Sequence, residues 1–294
     1  MTKFSRVFTA GMPALFVLLW STGFIGAKYG LPFAEPFTFL SIRFVLIILV
    51  LAALARLAGA PWPRGRQALH LMVSGALVHA VYLGGVFAAI FHGLPSGMAA
   101  LVVGLQPVLT ALVAGPFLGE RITLRQWGGL VLGLVGVALV LASRQGGLSL
   151  ASSGLSWTGL GVAVLALAGI TIGTLYQKRF GGGMDLRTGT AVQYVGALLV
   201  LLPVAVAGET MVVHWTWQFV LALVWLVLVL SLGAISLLML LIRGGEASKV
   251  ASLFYLVPPV TAALAWALFG ESLSPLGLAG MALAALGVAL VVRR

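Results

Sequence analysis

The chain has 294 residues, of which 61% are hydrophobic and 8% charged, against roughly one-quarter charged residues in soluble domains. Its formal charge of +11 is scattered between apolar runs rather than gathered on one solvated face, which excludes a nucleic-acid-binding module. The absence of cysteine excludes disulfides and thiolate metal or redox sites, and no cofactor or metal motif is found.

Apolar runs of about twenty residues, too long and too uniform for alternating barrel strands, predict an all-α membrane protein of about ten spans. The first helix is expected near residues 11–30 and carries Trp20, Ser21, Thr22 and Gly23, a polar, bulky and small cluster that admits substrate backbone groups or simply packs. The segment before it is read as the start of a retained helix, not a signal peptide. Lys28 lies toward the outer end of this helix. In the second, near 37–58, Arg43 stands about 9 Å from the predicted start at 1.5 Å per residue, placing it at the outer mouth, where it meets a carboxylate or snorkels to water. In the third, near 68–91, His79 and Tyr82 are three apart, so α-helical geometry sets them on one face with Gly75 and Val86. That stripe is either a cavity wall or a pair that positions helices.

The fourth helix is expected near 96–118, with Gln106 beside Pro107, and the fifth near 124–142, with a seam of Gly129, Gly133 and Gly136. Five more follow near 157–177, 188–207, 217–242, 247–269 and 275–292. The seventh carries Gln193 and Tyr194, which line a cavity or pack. In the ninth, Ser248, Ser252, Tyr255 and Pro259 recur on one stripe, where hydroxyls and a ring either receive a zwitterion or hold helices together. Pro107, Pro258 and Pro259 fall inside predicted spans, where each ring removes a helical hydrogen bond, and are candidate hinges.

Two stretches repeat without a gap: GERITLRQWGGLVLGLVGVALVLAS from Gly119 and GESLSPLGLAGMALAALGVALVVRR from Gly270. The same shift pairs Pro107 with Pro258, Glu120 with Glu271, Gly129 with Gly280 and Gly136 with Gly287. A weaker match, one residue out of register, pairs Gly23 with Gly173, Thr38 with Thr188 and Arg43 with Gln193. The expectation is two units, 1–146 and 147–294, of five helices each. An odd number of spans per unit makes the second copy inverted in the membrane. With both termini inside, all of the 17 Lys and Arg except Lys28, Arg43 and Arg144 fall on the cytoplasmic side, as the positive-inside rule requires.

Two five-helix copies, each closing its fourth helix with Pro and then GE before a Gly-rich fifth, resemble the EamA-type branch of the drug/metabolite transporter superfamily. WSTGFIGAK, the Arg43 position, QPVLTALVAGPFLGER and VPPVTAALAWALFGE carry the resemblance. It implies ten helices around a central cavity and export of amino acids or other small metabolites across a bacterial inner membrane. Within the branch, the chain looks similar to YddG-like aromatic amino-acid exporters.

The acidic residues all fall in connections or at helix ends, so no mid-membrane carboxylate is available to trade a proton for a cationic substrate. This points to net-neutral amphipathic solutes, amino acids foremost, moved facilitatively or with coupling only through His79. Efflux of lipophilic cations is the competing transport reading, through cation–π attraction. An intramembrane enzyme would need an HExxH motif or paired aspartates at depth, which are missing. A non-transporting scaffold remains the reading if nothing is moved. Small-residue seams fit either a monomer or a homodimer.

Overall fold

The structure is a computed structural model. It describes residues 3–94, 99, 102–143, 156–269 and 274–292, apart from the side chains of 3–10, 24, 25, 27, 28, 262, 265, 268 and 269. Among the described residues the regular elements are helical, with one isolated antiparallel bridge between Ala34 and Val213. In chain order they are α1 Lys3–Gly30, α2 Pro36–Leu57, α3 Gly65–Phe91, α4 Gln106–Leu118, α5 Leu124–Ala142 and α6 Trp157–Phe180. The remainder are α7 Leu186–Gly208, α8 Trp217–Gly244, α9 Ala247–Ser252, α10 Val257–Phe269 and α11 Pro275–Val292.

Seven of these helices, α2, α3, α5, α6, α7, α8 and α11, are long and apolar enough to cross a membrane. The 22 residues of α2 reach about 33 Å, against a hydrocarbon core of about 30 Å. Shorter apolar stretches lie in α1, at Gly11–Gly23, and in α4. Leu49, Leu199 and Leu221 are 61, 65 and 59% exposed on these helices, an apolar exterior that suits hydrocarbon. The protein is a multi-pass integral membrane protein.

Helix starts follow local chemistry. Thr123 and Gln126 form a reciprocal capping box at α5, and Ser156, Asp185 and Thr216 each accept a backbone N–H at the starts of α6, α7 and α8. The prolines expected to interrupt helices within spans stand in the first turns of helices. Pro107 occupies the first turn of α4, directly after a turn at Gly104 and Leu105, and Pro258 and Pro259 open α10 after a 3-10 turn at Leu253–Leu256. A helix begins where its first N–H groups need no internal partner, so proline is accommodated there without loss.

Helices from the first part of the chain pack against helices from the second: α2 on α7, α3 on α6 and α7, α1 on α8 and α10, α4 on α6 and α9, and α5 on α11. Glycines allow the closest approaches. A Cβ on Gly75 would lie 1.9 Å from the Gln193 carbonyl oxygen, and one on Gly136 would lie 2.4 Å from the Ala284 backbone nitrogen. The glycine seam of α5 is thus engaged by α11 within one chain.

Both α3 and α8 contain nine residues of π-helix, Ala76–Gly84 and Leu226–Ala234, and each boundary is displaced from its counterpart by 150 positions (226 against 76, 234 against 84). This is the register of the weaker sequence match. Such wide turns concentrate at functional sites because they rotate side chains out of the α-helical pattern.

Candidate substrate site

Where α2, α3, α7 and α8 meet, the first π segment contributes His79 and the second contributes Ser231. Arg43, on α2, is 3% exposed, and its Nε donates to Ser231 Oγ at 2.9 Å. Among the described residues no carboxylate lies within 4.0 Å of Arg43. A guanidinium enclosed between helices without a counter-charge is costly in a bilayer interior, and such groups mark substrate paths. Arg43 is therefore enclosed by the bundle rather than set at an open outer mouth.

Beside it, the Tyr194 ring of α7 stacks on His79 at 4.4 Å between centroids and 17° between planes, and Phe44 packs against both rings, 5.2 Å from Tyr194 and 6.2 Å from His79. The Tyr194 hydroxyl and His79 Nε2 are both buried without a hydrogen-bond partner. Buried polar atoms are nearly always paired, so two in one cluster single it out.

A second polar group adjoins it. Gln193 Nε2 donates to Gln177 Oε1 at 2.6 Å, and Ser74 Oγ donates to the same oxygen at 2.8 Å. Gln193 Oε1 and Gln177 Nε2 are left without partners. Gln177 also lines a cavity of about 270 Å³ shared with Lys178, Gly182, Gly183, Ile242 and Arg243. A larger one, about 660 Å³, opens next to it between Glu120, Arg179 and Lys249.

The other end of α2 and α7 is clasped. Glu209 accepts from the Phe37 and Thr38 amides at 2.8 and 2.6 Å, and Glu35 accepts from the Thr210 amide at 2.6 Å. The His214 amide donates to the Phe33 carbonyl alongside the Ala34 to Val213 bridge. Glu120 likewise receives the Ala247 amide at the start of α9, and Asp185 caps α7. The N-terminal dipole favours Glu209, Glu120 and Asp185 at the starts of α2, α9 and α7, while Glu35 serves the clasp and Glu246 pairs with Lys249 at 2.8 Å. Glu271 lies outside the described residues.

The remaining candidates scatter. His79 and Tyr82, expected on one face, enter different clusters: the i→i+5 bonding of the π segment widens the turn, and three residues no longer bring two side chains into line. Tyr82 joins Trp20, whose ring packs edge-on against Phe254 at 5.3 Å. Thr22 donates to the Leu19 carbonyl and accepts from the Trp225 indole, tying α1 to α8. Ser252 turns back onto the Lys249 carbonyl of its own helix. Tyr255 is 1% exposed, lies against Gly133, and its hydroxyl has no partner. Gln106 Nε2 reaches Thr110 at 3.3 Å while its Oε1 is unpaired. The side chain of Lys28 lies outside the described residues.

Ser231, Ser74, Gln177 and Phe44 escaped the sequence reading. The available signal was faint: Ser231 is the one hydroxyl in the apolar run Leu226–Ala234, at the centre of the second half's third helix.

Two segments of the chain, residues 9–142 and 157–293, each match the model of the EamA-like transporter family. The chain is 28% identical to the uncharacterized transporter YvbV of Bacillus subtilis (strain 168), across 99% of this chain and 93% of that one. It is 32% identical to a probable terminal-alkyne amino-acid exporter of Streptantibioticus cattleyicolor, across 95% and 92% respectively. A protein crystal structure superposes with a TM-score of 0.81 at 20% identity, covering 96% of this chain and 95% of the other.

Proposed function

Because this chain belongs to the EamA-like transporter family, and is a transporter rather than an enzyme, we propose that it exports small amphipathic metabolites, amino acids foremost, across a bacterial inner membrane by alternating access. The observation that carries the reading is the enclosed Arg43, held by Ser231 and lacking a carboxylate partner among the described residues. A fixed cation there repels cationic drugs and attracts the carboxylate of an amino acid, which argues against efflux of lipophilic cations.

The architecture under this reading is ten spans in two inverted units, 1–146 and 147–294, with both termini cytoplasmic. The packing supports it. Exchanging the halves turns the contact of α1 with α8 into that of α6 with α3, and maps α2 on α7 and α5 on α11 onto themselves, as a two-fold relation demands. An inverted repeat places substrate at its interface, and exchanging the two halves' conformations opens it to either side in turn. The Glu35 and Glu209 clasp and a Thr188 bond to the Pro61 carbonyl tie α2 to α7 at both ends, while the two cavities lie among the ends of α4, α6, α8 and α9, which supports a conformation open on the Lys178 and Arg179 side, the cytoplasm in this orientation.

No described carboxylate is available at depth to carry protons, so transport is facilitative, or coupled through His79 alone. Purified protein in liposomes loaded with unlabelled amino acid should take up labelled amino acid by exchange without a pH gradient. Strict dependence on an imposed gradient, retained by His79→Ala, would overturn the coupling assignment. Exchange of quaternary amines but of no amino acid would overturn the substrate class.

A further inference from the structure

The two halves are alike in backbone where α2 meets α7 but differ in the side chains they bring. The 150-position register pairs Arg43 with Gln193, Phe44 with Tyr194, His79 with Val229 and Val81 with Ser231. Matched positions therefore bring different chemistry from the two halves, a cation against a neutral amide in one pair and a polar against an apolar side chain in the others, and the junction has electrical polarity although the scaffold does not. On one side stands a guanidinium with a single well-formed bond, to Ser231. On the other stands the amide pair of Gln177 and Gln193, which leaves one acceptor and one donor without partners. Turning both amides over leaves the same remainder, so this property is independent of how the amides are assigned.

From this asymmetry we infer that Arg43 receives the α-carboxylate of the substrate and the Gln177 and Gln193 amide pair receives its α-amino group. The inference deepens the transport reading and rests on it. Guanidinium binds carboxylate through parallel N–H donors in a fork that a lone ammonium cannot reproduce. Ser231 holds Nε, which orients the fork and leaves the terminal nitrogens for the ligand. An amide oxygen without a partner supplies what a protonated amine needs, an acceptor with no charge to trap it. Entry is short: Gln177 already lines the cavity open on the Lys178 side, and it is bonded directly to Gln193, the neighbour of Tyr194. The site selects α-amino acids over the corresponding amides and amines, because either analogue leaves the buried guanidinium unmatched.

The test begins with labelled proteinogenic amino acids screened for exchange in liposomes, then compares the best of them with its own amide and its decarboxylated amine as competitors. Thermal stabilisation of the detergent-purified protein by the same three compounds reads binding without transport. Wild type should favour the acid over both analogues by about tenfold or more, the worth of one charged hydrogen bond. Arg43→Gln should abolish that preference, Arg43→Lys should keep part of it, and Ser231→Ala should weaken the acid several-fold while leaving the analogues unchanged. If Arg43→Gln does not fold, Ser231→Ala carries the same test. Gln193→Leu should weaken the acid and the amine alike.

Exchange or stabilisation by acid, amide and amine without preference would overturn the inference and leave the transport reading intact. Acid-specific stabilisation with no flux would do the reverse. A full preference retained by Arg43→Gln, or binding of acid and amine unweakened by Gln193→Leu, would assign recognition elsewhere and overturn the inference.

Discussion

The seam between α5 and α11 and the junction between α2 and α7 both join one half of the chain to the other, and they are built on opposite rules. In the seam, repeat-matched positions keep small residues, Gly129 with Gly280, Gly133 with Ala284 and Gly136 with Gly287, and backbone meets backbone: a Cβ on Gly287 would lie 2.5 Å from the Gly133 nitrogen. At the junction, matched positions carry different chemistry, and polar atoms are left unpaired. A duplicated scaffold keeps small residues where two backbones must touch. It diverges where an asymmetric ligand has to be told which way round it lies.

That contrast breaks most sharply at Gly75, which packs against the backbone of Gln193 itself. Gly75→Ala should lower stability by about 3 kcal/mol through overpacking and also reduce amino-acid exchange, because Gln193 must move. Thermal unfolding in detergent together with liposome exchange would check it; stability and flux both at wild-type level would refute the close approach. Gly136→Ala, in the seam, should cost about 2 kcal/mol yet leave the preference for acid over amide unchanged in the protein that folds. A changed preference would mean that seam and junction are not separate.

His79→Phe sharpens the comparison from the other side. It retains a ring against Tyr194 but removes a buried nitrogen without a partner, so stability should rise by about 1 kcal/mol while exchange falls. Higher stability with unaltered exchange would assign His79 to packing alone.

The smallest effect is expected far from both regions, at Asp185. Hydrogen bonds from the Arg187 side chain hold its carboxyl at about 2, below its ordinary value of 3.8. A depressed carboxyl contributes stability that is fully present above its unfolded value and is lost as pH falls toward 2. Asp185→Asn should therefore flatten that part of the acid stability profile and remove a few tenths of a kcal/mol near neutrality, because asparagine still caps a helix. Thermal shift measured from pH 6 down to pH 3 would show it.

The ends of most helices were legible within a few residues, since hydropathy, capping residues and proline act locally. The span expected at 247–269 was instead divided into α9, a 3-10 turn and α10, because two consecutive prolines cannot donate to the preceding turn. Of the candidate residues legible in the sequence, His79 stacks on Tyr194 and Arg43 bonds Ser231 across the same helices, while Gln193 bonds Gln177. Their partners Ser231, Ser74 and Gln177 were not legible, since lone hydroxyls and amides in apolar runs look alike until the helices are rotated into place.

By itself the amino-acid order determined the solvent, the helices and the duplication, for these depend on composition and on periodicity along one strand of chain. Tertiary structure decided which polar groups share a helix junction and which are spent elsewhere, leaving Thr22 to Trp225, Ser252 to its own turn and Arg43 to Ser231. The physical reason is rotation: π turns and glycine contacts fix the azimuth of each helix against its neighbours, and no local pattern encodes the angle at which two distant segments meet.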